Sequence, residues 1–300
     1  MERNQANQAA VWGALSQSIT DFGLLVKFRL NLTVVFSAVM SYAIVAEGQI
    51  TVLATLVLAL GGFFVTSAAN ALNQVLERDY DLLMPRTANR PVAAGRMSVS
   101  KAVLLAGLMA LVGISLLSVF NPLTGFLGTL SLISYAFVYT PLKRSSPLAV
   151  LVGAIPGALP LIIGSVAYEG TITSTAMMLF SLQFLWQFPH FWAVAWLADE
   201  DYRKAGFYLL PTGAAEKDKT TGLLSFGFCL LLIANTFLAF AMGYISLVAM
   251  VALVVLNVYW ALKCWNLYKT CSVKAARAQM FFSFAHLPLS LIVLLLDKLF

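Results

Sequence analysis

The sequence predicts an all-α membrane protein with about nine transmembrane helices around a central cavity. Three observations support this fold class. The 300 residues are 60% hydrophobic and only 11% charged, whereas soluble domains usually carry about 25% charged residues. Several continuous apolar runs have the roughly 20 residues that a helix needs to cross a bilayer. The ionisable residues collect in alternate connections between these runs.

Nine apolar runs define the predicted membrane spans. Because the runs are continuous rather than alternating in polarity, helices are favoured over the strands of a membrane barrel. A helix also satisfies its own backbone hydrogen bonds inside the hydrocarbon core. In chain order, the predicted spans are Leu30–Val45, Val52–Asn73, Val103–Phe120, Leu123–Thr140, Leu148–Ala167, Ala176–Leu197, Leu223–Met242, Ile245–Leu262 and Met280–Leu296.

Lysine and arginine are distributed unevenly between the two predicted sides. Eighteen of the 19 fall before the first span or after an even-numbered one, and only Lys298 falls on the other side. By the positive-inside rule, the N-terminus and these connections are expected in the cytoplasm, with the C-terminus on the opposite side. Residues 1–27 are expected to form a cytoplasmic segment and residues 28–300 one transmembrane domain, with long cytoplasmic connections at about 74–100 and 198–220.

The two long charged connections occupy equivalent places in the chain. Each follows an even-numbered span, and about 124 residues separate Glu77 from Asp201. This spacing predicts a weak internal repeat, in which two groups of helices deliver their charged segments to one cavity.

The connection after the second span carries three polar residues at helical spacing. Asn73, Glu77 and Asp81 follow one another at intervals of four, which places them along one face of a helix. Carboxylates at a helix C-terminus repel one another and oppose the helix dipole, so a cation should compensate them. Mg²⁺ suits this role because it binds hard oxygen ligands and substrate phosphates. Arg86 and Arg90, just beyond a proline, are expected to bind the same phosphates.

A solvated loop is the alternative interpretation of this connection, because runs of mixed charge commonly pair loosely in water. That interpretation explains why charged residues occur in this connection. It does not account for three polar residues on one helix face at the membrane edge, and a binding site is therefore favoured.

The same residues resemble the first aspartate-rich motif of the intramembrane prenyltransferases of the UbiA superfamily. That motif reads Asn-Asp-x-x-Asp-x-x-x-Asp and is followed by Arg-Thr-x-x-Arg-Pro. Asn73, Glu77 and Asp81 occupy matching positions, and Arg-Thr-Ala-Asn-Arg-Pro follows at residues 86–91. Two positions depart from the pattern, because Gln74 and Glu77 stand where aspartate is usual.

The second charged connection narrows the resemblance to one branch of this superfamily. Trp-Gln-Phe-Pro-His at residues 186–190 precedes an acidic cluster that includes Asp199 and Asp201. Ala198 lies near a position where quinone-directed members carry aspartate. This combination, together with Tyr-Thr-Pro-Leu-Lys-Arg at residues 139–144, resembles the protoheme IX farnesyltransferases, also called heme O synthases. The match runs over most of the chain.

The resemblance implies a UbiA-type prenyltransferase fold and a specific reaction. In that reaction, the farnesyl group of farnesyl diphosphate joins a vinyl group of protoheme IX (heme B), with addition of water, to give heme O and diphosphate. This is a step in heme A and heme O biosynthesis for terminal oxidases. Mg²⁺ is the implied cofactor, whereas heme B is a substrate rather than a cofactor.

The resemblance also implies a location and partners. The expected location is the lipid bilayer of the bacterial cytoplasmic (inner) membrane. A heme A synthase or a terminal oxidase assembly protein is a possible partner. No feature of the sequence points to nucleic acid.

Several residues receive expected roles from the resemblance. The expected catalytic residues and Mg²⁺ ligands are Asn73, Glu77, Asp81 and Asp201, and Asp199 is an alternative to Asp201. A solvated turn is the other interpretation of these last two aspartates. Besides Arg86 and Arg90, the residues expected to bind diphosphate are Lys143, Arg144, Arg203 and Lys204, although positive charge at this side of the membrane also serves topology.

Two histidines lie inside predicted spans, where polar residues are functional candidates. His190, in the sixth span, is expected to orient heme, to ligate its iron or to transfer a proton. His286, in the ninth span, is a candidate for the same roles. The alternative for both is a hydrogen-bonded histidine that only packs between helices.

Two other functions fit part of the pattern. A prenyltransferase that acts on a quinone or chlorin precursor would use the same Mg²⁺ chemistry, but the Pro-His sequence at residues 189–190 argues against it. A secondary transporter would place its binding residues near the bilayer midplane. Here the acidic residues lie at the predicted cytoplasmic boundary beside arginine and lysine.

Overall fold

In the part of the chain that the structure describes, all regular secondary structure is helical. The computed structural model describes the backbone of residues 2–213 and 215–300, and the side chains of residues 12, 13, 15–213 and 215–300. The helices are α1 (Glu2–Leu25), α2 (Phe28–Val45), α3 (Val52–Leu76), α4 (Arg78–Asp81), α5 (Val99–Ser118), α6 (Pro122–Ile133), α7 (Thr140–Leu142), α8 (Ala149–Glu169), α9 (Ser174–Leu197), α10 (Asp199–Lys204), α11 (Lys219–Ala241), α12 (Leu247–Thr270) and α13 (Val273–Leu299). A π-helical segment, Ser134–Tyr139, joins α6 to α7.

Eight spans within the described residues are long and apolar enough to cross a membrane, and they correspond to eight of the predicted spans. The remaining predicted span is α9, which has 24 residues. Its polar side chains, Gln183, Gln187 and His190, lower its hydropathy. Because α9 packs against α8, α11 and α13, it belongs to the same bundle. The prediction of an all-α membrane protein is confirmed.

The C-terminal helix begins well before its predicted boundary. The apolar run starts at Met280, but α13 begins at Val273. The side chain of Ser272 accepts a hydrogen bond from the backbone N–H of Ala275 and caps the helix at this earlier point. Lys274 and Arg277 therefore extend the helix beyond its apolar part.

Helix α8 is the most buried of the eight apolar spans, and its glycines allow other helices to approach closely. A methyl group on Gly164 would lie 2.0 Å from the carbonyl oxygen of Ala38 in α2. A methyl group on Gly157 would lie 1.9 Å from the side-chain oxygen of Gln187 in α9. Small residues permit such backbone approach in membrane bundles, and α8 therefore joins the two halves of the protein.

Side-chain contacts show which connections share an end of the bundle. At one end, Lys298 lies 3.9 Å from Glu47, and Asp297 accepts a hydrogen bond from the backbone N–H of Ser246. The C-terminal residues therefore lie beside the α2–α3 and α11–α12 connections. The opposite end holds the long charged connections. This grouping agrees with the alternation of the predicted spans.

Helix α1 is held at the charged end by two contacts. Arg96 forms an ion pair with Asp21 at 2.8 Å, and this contact lowers the pKa of Asp21. Gln74 donates hydrogen bonds from Nε2 to the carbonyl oxygens of Leu24 and Leu25 at 2.8 and 3.0 Å. The end of α1 is thereby joined to α3.

Candidate active site

The three polar residues predicted to share a helix face lie where α3 ends. Helix α3 stops at Leu76, Glu77 has φ −102° and ψ 8°, and α4 begins at the next residue. The hydrogen-bond register continues across the break, from Glu77 N–H to Asn73 O at 3.0 Å and from Asp81 N–H to Glu77 O at 2.8 Å. The three residues are buried, with 1% (Asn73), 3% (Glu77) and 0% (Asp81) of the whole residue's surface exposed.

Three cationic side chains contact these three residues. Lys143 forms an ion pair with Glu77. Arg90 donates from Nη1 to both oxygens of Asp81 at 2.7 Å. Lys27 donates from Nζ to Oδ1 of Asn73 at 3.0 Å. We call these six residues the charged cluster, and it carries one net positive charge.

Burial shifts the pKa values of the cluster. Burial lowers the pKa of Lys143, and the Glu77 carboxylate opposes this change. Burial raises the pKa of Asp81, although the Arg90 guanidinium counteracts this effect. The pKa of Lys27 falls to about 7, first because of burial and then because Arg90 and Lys143 are positively charged. When Lys27 is protonated, the cluster has an excess of positive charge, which favours an anionic ligand.

The π-helical segment brings the fourth span to the cluster. Thr140 donates from Oγ1 to the carbonyl oxygen of Tyr135 at 2.9 Å, and it accepts from Nδ2 of Asn73 at 3.1 Å. Lys143 follows within one turn. π-Helical turns are frequent at functional sites because they displace the residues that follow them.

Aromatic side chains from the two long charged connections lie beside the cationic groups. Nη2 of Arg86 lies 3.4 Å from the hydroxyl of Tyr202. Tyr80 stacks on Phe207 with 5.8 Å between ring centroids, and Nζ of Lys143 lies 5.8 Å from the centroid of Phe207. These contacts bring the two long charged connections together, whereas the internal repeat itself stays a prediction.

Arg144 lies beside this aromatic group. It donates a hydrogen bond from Nη2 to the carbonyl oxygen of Leu76 at 2.5 Å, and its guanidinium carbon lies 4.0 Å from the centroid of the Tyr80 ring. The C-terminal carbonyl groups of α3 are therefore in contact with a cation, which complements the helix dipole.

The two aspartates of the second connection have different surroundings. Asp199 is buried and accepts from Arg203 at 2.7 Å, with Lys217 at 3.8 Å. The Asp201 side chain is 28% exposed and lies 3.5 Å from Lys204. Among the described residues, no group of three or more His, Cys, Asp or Glu side chains converges on one point. The role of Asp201 as a metal ligand stays a prediction, and burial makes Asp199 the more protected carboxylate.

The two histidines lie away from the charged cluster. His190 in α9 contacts Ser283 in α13 through Nδ1 at 2.7 Å. His286 contacts Asn257 in α12 through Nε2 at 2.8 Å. Among the described residues, neither histidine has a carboxylate as a hydrogen-bond partner.

Sequence reasoning missed Lys27 as a member of the site. From the sequence, Lys27 was used only as evidence for membrane topology. In the structure, it directly precedes α2 and has a left-handed backbone conformation with φ 49°. A lysine at the edge of an apolar span is the signal that could have indicated it. Gln74, one of the two departures from the prenyltransferase motif, binds the end of α1 rather than facing the cluster.

Solved structures with the same architecture are UbiA-type proteins. Digeranylgeranylglyceryl phosphate synthase aligns with a TM-score of 0.78 at 15% identity, over 94% of this chain and 99% of that one. A UbiA homolog from Archaeoglobus fulgidus, in a structure bound to GPP and Mg²⁺, aligns with a TM-score of 0.67 at 15% identity, over 91% and 99% of the two chains. At these identities, the likeness establishes the fold.

Sequence relatives are considerably closer. Protoheme IX farnesyltransferase from Cytophaga hutchinsonii is 41% identical over 92% of this chain and 96% of its own length. The protein of the same name from Flavobacterium psychrophilum is 40% identical over 93% and 94% of the two chains. The more distant relative from Acidovorax sp. is 34% identical over 97% and 96%.

The profile of the UbiA prenyltransferase family matches residues 34–285, which span most of the predicted transmembrane domain and both long charged connections. The resemblance inferred from these connections is therefore confirmed. The protein is a prenyltransferase with a bundle of membrane-spanning helices, and the chain belongs to the UbiA prenyltransferase family.

Proposed function

We propose that this enzyme transfers the farnesyl group of farnesyl diphosphate to a vinyl group of protoheme IX, with addition of water, to give heme O and diphosphate. The observation that carries the proposal is the charged cluster, in which Lys27, Arg90 and Lys143 surround buried oxygen ligands. The choice of heme as acceptor is supported by the name that relatives at 39–41% identity carry.

The donor set of the cluster fits Mg²⁺. Asn73, Glu77 and Asp81 offer hard oxygen atoms, and a site with one or two carboxylates suffices when substrate phosphates complete it. These three residues would hold the ion. When bound, Mg²⁺ would neutralise the diphosphate and make it a better leaving group. The related protein from Archaeoglobus fulgidus, whose structure contains GPP and Mg²⁺, supports this assignment.

The protein's own residues would then act in a defined order. Lys27, Arg90 and Lys143 bind the diphosphate and stabilise the negative charge that develops as the C1–O bond of farnesyl diphosphate breaks. The vinyl π electrons of heme attack the resulting allylic cation and form the new carbon–carbon bond. Water adds to the new cation and loses a proton. Arg86, Arg144, Arg203 and Lys204 supply further positive potential at this end.

The aromatic residues around the cluster would keep bulk water from the first cation. Phe207 is 2% exposed and packs between Tyr80 and Tyr202. Water at this point would convert farnesyl diphosphate to farnesol before the vinyl group could react. Exclusion of water also strengthens each electrostatic contact in the site.

The proposal places the charged end in the cytoplasm of a bacterium and the C-terminus across the inner membrane, following the positive-inside rule. Farnesyl diphosphate would enter the charged end with its diphosphate group, and its chain would lie among the apolar helices. Association with a heme A synthase or a terminal oxidase assembly protein stays a prediction.

A reconstituted assay tests this function. Purified enzyme in lipid nanodiscs should convert heme B and farnesyl diphosphate to a hydroxyethylfarnesyl heme in the presence of Mg²⁺, and EDTA should stop the reaction. Mass spectrometry identifies the product. Farnesylation of a quinone or chlorin precursor in place of heme would refute the proposed acceptor.

Lys27 offers a test based on pH. Lys27→Met should raise the KM for farnesyl diphosphate by roughly 10-fold or more at pH 6, because a hydrogen bond from a charged group is worth about 1.5–3 kcal/mol. The pKa of about 7 means that the wild-type lysine loses its charge as pH rises. The ratio of mutant to wild-type KM should therefore decrease between pH 6 and pH 9.

Arg29→Met provides the matched control, because Arg29 is an exposed cation two residues away. Its KM ratio should stay near one at each pH. A constant ratio for Lys27→Met across this pH range, or an equal effect of Arg29→Met, would show that Lys27 does not bind the diphosphate as a cation.

A further inference from the structure

His190 lies where α9 contacts α13. Its ring stacks on Trp186, with 4.5 Å between centroids and 14° between planes. Phe191 and Phe284 present ring edges at 5.2 and 5.3 Å. Nδ1 lies 2.7 Å from Oγ of Ser283, so one face and one nitrogen of the imidazole are fixed by neighbours.

The hydrogen bonds of Ser283 determine which nitrogen of His190 carries the proton. The Ser283 hydroxyl donates to the carbonyl oxygen of Met280 at 2.6 Å, and a serine has a single hydroxyl proton. Ser283 must therefore accept from the Nδ1–H of His190. In the neutral ring, the lone pair lies on Nε2, which is the arrangement that a second hydrogen bond imposes on a metal-binding histidine.

The Nε2 atom of His190 is free to bind a ligand. It makes no hydrogen bond to any described residue, and the ring is only half-buried. Two hydrogen bonds hold the surrounding backbone, from Gln279 to the carbonyl oxygen of Pro189 at 2.8 Å and from Trp186 to that of Ser283 at 3.2 Å. The nitrogen is therefore positioned before any ligand binds.

His286 differs in which ring nitrogen is hydrogen-bonded and in how deeply it is buried. The side-chain nitrogen of Asn257 donates to Thr236 at 3.1 Å, so the Asn257 oxygen accepts from Nε2–H of His286 at 2.8 Å. The ring is fully buried, and its centroid lies 4.6 Å from that of Trp260. Nδ1 of His286 has no hydrogen-bond partner among the described residues, but this nitrogen is buried. His286 therefore packs between helices, although both histidines were candidates from the sequence.

We propose that Nε2 of His190 ligates the iron of the heme substrate and thereby positions the porphyrin for prenyl transfer. The inference rests on the proposed function and adds the group that holds the acceptor. Neutral imidazole is a common ligand of heme iron, and the neighbouring aromatic side chains offer apolar faces to the macrocycle. His190 precedes the end of α9 at Leu197 by seven residues, or about 10 Å along the helix, which separates the iron from the charged end.

Absorption spectroscopy with hemin tests the ligation directly. Wild-type enzyme in nanodiscs should shift the Soret band of added hemin to a position typical of histidine-ligated iron. His190→Gln should lose this shift, and His190→Gly should regain it when imidazole is added. His286→Gln is the matched control and should retain the wild-type spectrum.

A positioning role makes two further predictions. Ser283→Ala keeps His190 but removes the hydroxyl that accepts the hydrogen bond from its Nδ1–H. This variant should bind hemin roughly 10-fold or more weakly, because loss of such a hydrogen bond usually weakens metal binding by this amount. Metal-free protoporphyrin IX should bind wild-type enzyme more weakly than hemin. His190→Gln should bind the two porphyrins equally, a result that a purely structural role would not produce.

The outcomes separate this inference from the proposed function. A wild-type spectrum in His190→Gln, with heme O still formed by wild-type enzyme, would overturn the ligation and leave the function intact. A histidine-ligated spectrum that depends on His190, without any farnesylated product, would support the ligation and refute the function. Loss of the spectrum in His286→Gln but not in His190→Gln would place the iron ligand on α13 and overturn the inference.

Discussion

Asp81→Asn is expected to lower the rate of farnesyl transfer by roughly 10²–10³-fold, the range seen when one preorganised electrostatic contact is removed from an active site. The carboxylate is fully buried and receives both contacts from Arg90 at 2.7 Å. Asparagine keeps the shape but removes the negative charge that would hold Mg²⁺. The rate of heme O formation at saturating substrates measures this change.

Asp79→Asn is the control for that experiment. Asp79 lies two residues away on the same short helix, but its side chain is 74% exposed and pairs with neighbouring Arg78. Its turnover should match that of wild type. Equal losses of turnover in the two variants would mean that the total negative charge of this connection matters, rather than the buried carboxylate. A thermal unfolding curve would show that both variants are folded.

Lys143→Met is expected to destabilise the protein by about 3–5 kcal/mol, the usual cost of leaving a buried charge without its partner. The side chains of Lys143 and Glu77 are only 10% and 4% exposed, so water cannot replace the lost contact. Unfolding in mixed micelles of increasing denaturing detergent measures the change. Lys101→Met, at an exposed position in the first turn of α5, should leave the unfolding free energy nearly unchanged.

The double variant Glu77→Gln/Lys143→Met separates stability from catalysis. Removing both charges removes the desolvation penalty, so most of the lost stability should return. Farnesyl transfer should stay impaired, because the double variant lacks both a metal ligand and a cation for diphosphate. Recovery of activity together with stability would show that the pair serves only the fold.

The bundle of helices could be predicted from the sequence because a bilayer imposes a strong local rule. Each apolar run of sufficient length must be a helix, whatever its neighbours are. The second span illustrates this point, since the predicted Val52–Asn73 differs from the observed Val52–Leu76 only at its polar end. The helical spacing of Asn73, Glu77 and Asp81 is equally local, and it pointed to the family before any contact was known.

Only the tertiary structure determined which cation faces which oxygen ligand. Lys27 and Asn73 are 46 residues apart, and Arg86 and Tyr202 are 116 residues apart. No local periodicity relates such positions. The same limit applied to the histidines, because the free nitrogen of His190 depends on Ser283, a residue 93 positions away.

The sequence by itself therefore determined the fold class, the family and the residue types of the site, because these follow from hydropathy and from spacing within single helices. The tertiary structure decided that Lys27 joins the cluster, that Asp199 is more protected than Asp201, and that His190 is less buried than His286. These properties depend on burial and on hydrogen bonds between helices, which arise only when the bundle is packed.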